Sequence, residues 1–173
     1  MMVERSGVVT LGGQAVTLLG PELREGDRAP DFTVHDQGFQ PWNFYRETAG
    51  KVRLVSVVPS LDTGVCNLQT RRFEQECAGL PAGVAVVTVS TDLPPAQARW
   101  KKEAGAERVI LVSDHADASF GQSYGVLMKE NRLLARSVFV VDSQGRVTYA
   151  QVVPEITQHP DYERALAAVR VAR

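Results

Sequence analysis

Cysteine is scarce in this chain: two residues in 173, Cys66 and Cys77. Two thiols cannot staple a disulfide scaffold, so the fold must rest on a hydrophobic core. Basic charge is not in surplus either. Lys and Arg number 19 against 20 Asp and Glu, a net charge of −1, which leaves no electrostatic footprint for nucleic acid. The cluster Arg99, Lys101 and Lys102 reads as the solvated face of a helix. No apolar run approaches the roughly 18 residues of a membrane span; the stretch at residues 54–58 is interrupted by Ser56 and fits a buried strand. Residues 1–13 carry Glu4 and Arg5 and lack the apolar run of about 7–15 residues that marks a secretory signal. A reducing cytoplasm is the expected compartment, with no membrane contact. There is no Gly-rich phosphate loop. His35, His115 and His159 are dispersed along the chain, and neither cysteine has the paired spacing of a zinc site. No cofactor and no metal are expected.

What is present fits one globular unit. Hydrophobic residues make up 44% and charged residues 23%, enough for a substantial core in a chain of this length. Residues 8–18 read as a β-hairpin, because Gly12-Gly13 supplies the positive φ of a tight turn. Strand and helix then alternate: strands at 32–34, 52–58, 84–89 and 109–112, helices at 65–78, 94–104 and 116–124. Leu68, Phe73 and Cys77 mark the apolar positions of the first of these helices. Strands at 137–141 and 146–153 flank the turn Asp142-Ser143-Gln144-Gly145, and an amphipathic helix at 161–171 closes the chain. This order predicts an α/β fold with a mixed central sheet covered by helices on both faces, preceded by a hairpin extension at 1–20. No repeat or linker divides residues 1–173, which read as a single domain.

The informative segment is Pro59-Ser60-Leu61-Asp62-Thr63-Gly64-Val65-Cys66, where a buried strand ends and a helix begins. Sites in such folds form at the carboxyl ends of strands. With Asp62 or Thr63 as helix cap, Cys66 falls in or near the first turn, facing unpartnered N–H groups and the positive end of the dipole. That alone is too little. A free cysteine titrates near pH 8.5, and ionisation at neutral pH takes about 2.7 kcal/mol of preferential stabilisation. A helix terminus supplies about 0.3–1 kcal/mol, about 2 at best. A cation is therefore wanted beside the sulfur. Arg136, at the start of the apolar strand 137–141, is the candidate.

Pro59, Thr63 and Cys66 stand in a P-x-x-x-T-x-x-C arrangement that resembles the peroxiredoxins. The wider Ser60-Leu61-Asp62-Thr63-Gly64-Val65-Cys66 is similar to their thiol peroxidase branch, the atypical two-cysteine peroxiredoxins. So are Gly26-Asp27-Arg28-Ala29-Pro30-Asp31-Phe32, Ser90-Thr91-Asp92-Leu93-Pro94, Ala135-Arg136-Ser137-Val138-Phe139, and Glu155-Ile156-Thr157 before Pro160-Asp161-Tyr162. The resemblance implies a thioredoxin-like fold and reduction of hydrogen peroxide and alkyl hydroperoxides. Cys66 would be the peroxidatic thiolate and pass through a sulfenic acid. Thr63 and Arg136 would hold the thiolate and the peroxide oxygens, and Pro59 would shape the pocket and restrict water. Thioredoxin or another thiol as reductant, and a homodimer as assembly, are implied in the same way.

One position breaks the pattern. The resolving cysteine usual in that branch falls, by spacing, on Lys101. Cys77 is the other thiol, but three turns along the same predicted helix place it about 16 Å from Cys66, and a disulfide needs Cα atoms within about 7 Å. Either the helix unwinds after oxidation, or Cys77 pairs across a dimer, or it is inert core. Recycling is therefore expected either by an external thiol acting on Cys66 directly, or through a Cys77 disulfide that thioredoxin reduces. Three rival functions fit less well. A disulfide oxidoreductase normally has Cys-x-x-Cys, whereas Asn67-Leu68-Gln69 follows Cys66. A cysteine hydrolase would need His35 or His115 as base. A non-turnover peroxide sensor would present the same thiol and differ in stopping after one oxidation.

Overall fold

A computed structural model describes residues 2–173. β1 (Glu4–Leu11) and β2 (Gln14–Leu19) form the expected hairpin. It turns at Gly12 and Gly13, with φ of 58° and 82°. β1 is longer than the sequence suggests, because an irregularity between Ser6 and Val9 lets pairing continue back to Glu4. Two short strands follow, β3 (Thr33–His35) and β4 (Pro41–Asn43), then a one-turn helix α1 (Phe44–Glu47). β4 and α1 were too short to show periodicity and are not apparent in the sequence.

The remaining elements are β5 (Val52–Val57), α2 (Gly64–Glu76), β6 (Val84–Ser90), α3 (Pro94–Ala104) and β7 (Ile110–Ser113). After them come α4 (Ser119–Ser123), β8 (Leu127–Met128), β9 (Ser137–Val141), β10 (Val147–Val152) and α5 (Tyr162–Val171). The expected helix 116–124 shrinks to α4, because Ala118 takes a left-handed φ of 55° and blocks an earlier start.

Seven strands form one mixed sheet in the order β10-β9-β5-β6-β7-β3-β4. β5, β6 and β7 run parallel, while β9 pairs antiparallel with β5 and β3 antiparallel with β7. β1, β2 and β8 form a separate three-stranded sheet. Strand alternation divides β5 between two cores. Val55 and Val57 face an aromatic cluster with Phe32, Phe44, Phe120 and Phe139. Val52 and Leu54 face α2, α3 and α5 through Phe73, Trp100 and Leu166. Both faces of the sheet are covered, as the sequence predicts.

The buried stripe of α2 differs from expectation. It consists of Cys66, Gln69, Thr70 and Phe73, at helical spacings of three and four. Leu68 lies off this stripe and is 52% exposed. The α-helix ends at Glu76, and Cys77 begins a short 3-10 turn, Cys77–Gly79.

Candidate active site

The loop between β5 and α2 is pinned by one carboxylate. Asp92, just beyond β6, accepts from Ser60 Oγ, Leu61 N and Ser90 Oγ, each at 2.8 Å. The carboxyl ends of two adjacent parallel strands thereby fix where α2 starts. Thr63 occupies the N-cap position with extended φ and ψ, but its side chain makes no cap bond. Of the two cap candidates, Asp62 and Thr63, the position falls to Thr63, whose hydroxyl is directed to Ser60 and Cys66. Cys66 is the third residue of α2, in its first turn.

The Thr63 hydroxyl lies 2.7 Å from Cys66 Sγ and 2.9 Å from the Ser60 carbonyl oxygen. A hydroxyl has one proton and can also accept. Against a thiol it accepts the S–H and donates to Ser60; against a thiolate it donates to the sulfur. One side chain thus serves both protonation states without moving.

Arg136 reaches the sulfur through strand pairing. Val57 at the end of β5 is in register with Ser137 at the start of β9, so Arg136 stands beside the chain that leads to Cys66. Its guanidinium is buried, 3% exposed. Nη2 lies 3.3 Å from Cys66 Sγ, Nη1 donates to Gln69 Oε1 at 3.0 Å, and Nε donates to the Ile156 carbonyl at 2.7 Å. None of these partners is a carboxylate. A buried cation without a counter-ion is costly, and the one partner here able to take up negative charge is the sulfur.

Gln69 was not apparent as a site residue. Its Nε2 donates to Ser56 Oγ at 2.8 Å, which turns Oε1 toward Arg136. The signals were in the sequence: a serine interrupting an otherwise apolar strand, and a glutamine three residues after the cysteine, on its helical face. Neither could be read without knowing that β5 and α2 face each other.

Beside these groups is a cavity of about 440 Å³ whose walls include Pro59, Thr63 and Arg136. Leu11, Val65, Met128, Leu133 and Ile156 make its lining mainly apolar. Cys66 itself is fully buried, and Thr63 and Arg136, which line the cavity, are the side chains that meet its sulfur. All four residues expected at the site, Pro59, Thr63, Cys66 and Arg136, are brought together.

Cys77 is elsewhere. It is half-buried at the far end of α2 and lines a separate cavity of about 300 Å³ with Lys51 and Arg108. Burial, reinforced by the nearby Glu74 carboxylate, pushes its thiol up to about 11. Lys101 donates Nζ to the Val109 carbonyl at 3.1 Å. His35 and His115, separate in sequence, have ring centroids 5.1 Å apart.

Residues 24–166 match the Redoxin family. The chain is 52% identical over 164 residues to a thiol peroxidase of Halalkalibacterium halodurans, covering 95% of this chain and 98% of that one. It is 51% identical over 162 residues to a thiol peroxidase of Bacillus subtilis, covering 94% and 96%. Among solved structures, a peroxiredoxin-like protein from Aquifex aeolicus superposes with a TM-score of 0.86 at 40% identity, covering 97% of this chain and 96% of that one. Thiol peroxidase from Chromobacterium violaceum shares the fold, with a TM-score of 0.83 at 20% identity over 90% of this chain and 91% of that one. With the sulfur, hydroxyl and guanidinium assembled at the end of a central strand, and half of all aligned positions identical to thiol peroxidases, the chain belongs to the Redoxin family and to its thiol peroxidase branch.

Proposed function

We propose that Cys66 is the nucleophile of a thiol-dependent peroxidase acting on hydrogen peroxide and alkyl hydroperoxides, with Thr63 and Arg136 holding the sulfur and the reacting oxygens. The observation that carries this reading is the buried Arg136 guanidinium, whose partners are two neutral oxygens and Cys66 Sγ. In the reaction, the thiolate attacks the terminal oxygen of R–O–OH. An S–O bond forms as the O–O bond breaks, and the RO⁻ fragment leaves with the electron pair and takes up a proton to become ROH. The sulfur is oxidised to sulfenic acid. Charge moves from sulfur to the departing oxygen, and fixed donors that follow it stabilise the transition state without reorganisation. Pro59 offers no N–H and contributes an apolar wall, which keeps water from competing for those donors.

Peroxide reduction with a thiol reductant follows from the family. The relatives are named as peroxidases, which favours sustained turnover over a stoichiometric sensor. The finer reading is our own. Lys101 at the usual resolving position, together with the remoteness of Cys77, supports reduction of the sulfenic acid by an external thiol, thioredoxin included. Exposed Leu68 on α2 and Leu93 just before α3, 52% and 57% accessible, support a homodimer. Among the described residues no helix is long and apolar enough to cross a membrane, and we place the protein in the cytoplasm. We also read residues 1–173 as one working unit, hairpin included.

The test is single-turnover oxidation with one equivalent of cumene hydroperoxide, followed by intact mass. The expected product carries one added oxygen on Cys66, absent in Cys66→Ser. Oxidation that persists in Cys66→Ser overturns the assignment.

A further inference from the structure

The tip of the N-terminal hairpin and the loop after β10 meet at one carboxylate. Glu155 Oε1 accepts from Gly13 N at 2.7 Å and Thr10 Oγ1 at 2.9 Å. Its Oε2 accepts from Thr157 Oγ1 at 2.6 Å, Thr157 N at 2.8 Å and Gly12 N at 3.3 Å. The consecutive amides of Gly12 and Gly13 both point at it, an arrangement open to glycine because both φ values are positive. The backbone repeats the connection on either side. Thr10 N donates to the Pro154 carbonyl at 2.8 Å, and Ile156 N donates to the Thr10 carbonyl at 2.9 Å.

The loop held in this way is the one that orients Arg136. The Ile156 carbonyl accepts the Arg136 Nε–H at 2.7 Å, and Val153 N donates to the Arg136 carbonyl at 2.9 Å. Both the side chain and the main chain of Arg136 are thus referenced to residues 153–156. A guanidinium is planar, so fixing Nε fixes where Nη1 and Nη2 point. Hydrogen bonds from Thr157 and Gly13 hold the Glu155 carboxyl down at about 2, so the anchor stays anionic wherever the enzyme is folded and working.

We propose that Glu155 is a positioning residue for the peroxidase reaction: by clamping the hairpin tip to the 153–157 loop, it sets the Ile156 carbonyl that aims Arg136 at Cys66. The hairpin is then part of the active-site framework and not an appendage to it. This rests on the roles given above to Cys66 and Arg136.

The discriminating experiment is a double-mutant cycle of Glu155→Gln and Arg136→Lys, measuring kcat/KM for cumene hydroperoxide and for hydrogen peroxide. Glu155→Gln keeps the shape but turns an amide NH2 toward N–H and O–H donors. Because small misplacements of a reacting group carry large rate penalties, it should lower kcat/KM for both substrates by about tenfold or more. In the Arg136→Lys background, where no Nε–H meets Ile156, it should cost less than about twofold. An equal loss in both backgrounds, or no loss in the wild-type background, overturns the proposal and leaves Glu155 a purely structural anchor. Should circular dichroism show Glu155→Gln unfolded, Thr10→Val replaces it in the cycle. That variant removes one donor and should give a smaller loss with the same dependence on Arg136; a loss independent of Arg136, or none, counts against the clamp. Cys66→Ser is run alongside. Activity surviving there refutes the site itself, whereas an inactive Cys66→Ser with an indifferent Glu155→Gln refutes the clamp alone.

Discussion

Gln69 Oε1 accepts the Arg136 Nη1–H at 3.0 Å while Nη2 of the same guanidinium meets Cys66 Sγ at 3.3 Å. The glutamine is neutral, and that choice matters. A carboxylate there would compete with the sulfur for the same cation. Gln69→Glu should therefore lower the rate of Cys66 alkylation by iodoacetamide at neutral pH, and peroxidase kcat/KM, each by about tenfold or more. Gln69→Met, similar in length and without charge, should cost less. The measurement is alkylation kinetics in a Cys77→Ser background; equal losses in the two variants would show that charge competition is not the cause.

Thr63 is placed to give and to accept one proton at the sulfur. Thr63→Val keeps the shape and removes the hydroxyl, and should reduce single-turnover rates with cumene hydroperoxide by about 10²–10³-fold, the range for losing one fixed donor to a developing anion. Thr63→Ser should restore most of the rate. Stopped-flow tryptophan fluorescence or peroxide consumption would read it.

The cavity wall bears on substrate choice. Leu133 supplies part of its apolar lining. Leu133→Ala should weaken kcat/KM for cumene hydroperoxide by about tenfold, the worth of about 1–3 kcal/mol of apolar contact, and leave hydrogen peroxide within about twofold. A parallel loss for both peroxides would mean that the wall does not grip the organic group.

Cys77 should prove a bystander. With its thiol at about 11, it is protonated and slow to react at neutral pH. The intact α2 helix holds it about 16 Å from Cys66. Cys77→Ser should leave multiple-turnover rates with thioredoxin or dithiothreitol unchanged, and non-reducing gels of oxidised wild-type protein should show no Cys66–Cys77 bond by peptide mapping. Loss of thioredoxin-coupled turnover in Cys77→Ser would instead require α2 to unwind or Cys77 to pair with Cys66 across a dimer.

Asp114 is a pH-dependent stability element. Its carboxylate accepts the Phe120 and Gly121 amides at 3.1 and 2.8 Å at the start of α4, yet burial lifts it from 3.8 to about 6. The folded state therefore binds this proton more tightly than the unfolded state. The associated stabilisation is complete below about pH 4 and is lost as pH rises through 6, up to about 3 kcal/mol. Urea unfolding of wild type and Asp114→Asn should show the wild type losing ground to the variant between pH 4 and 7. A constant difference across that window would contradict the assignment.

Much of this molecule is legible in the chain alone because the relevant signals are local. Short, nearly continuous apolar runs specify the strands 52–58 and 137–141, the strand-to-helix junction puts Cys66 in a first turn, and Thr63 is three residues away on the same stretch of backbone. Those relationships follow from local composition and covalent distance, and the structure keeps them. The tertiary structure decided the rest, since each remaining partner depends on register and on which faces meet. Arg136 lies beside Cys66 because Val57 pairs with Ser137. Gln69, itself held by Ser56 of β5, and the Ile156 carbonyl converge on it from α2 and from the loop after β10. Leu68 reads as core by composition and is solvent-facing because Gln69 takes the buried position. A one-residue slip of β9 against β5 would reverse which side chains face α2 and leave every local pattern in the sequence unchanged.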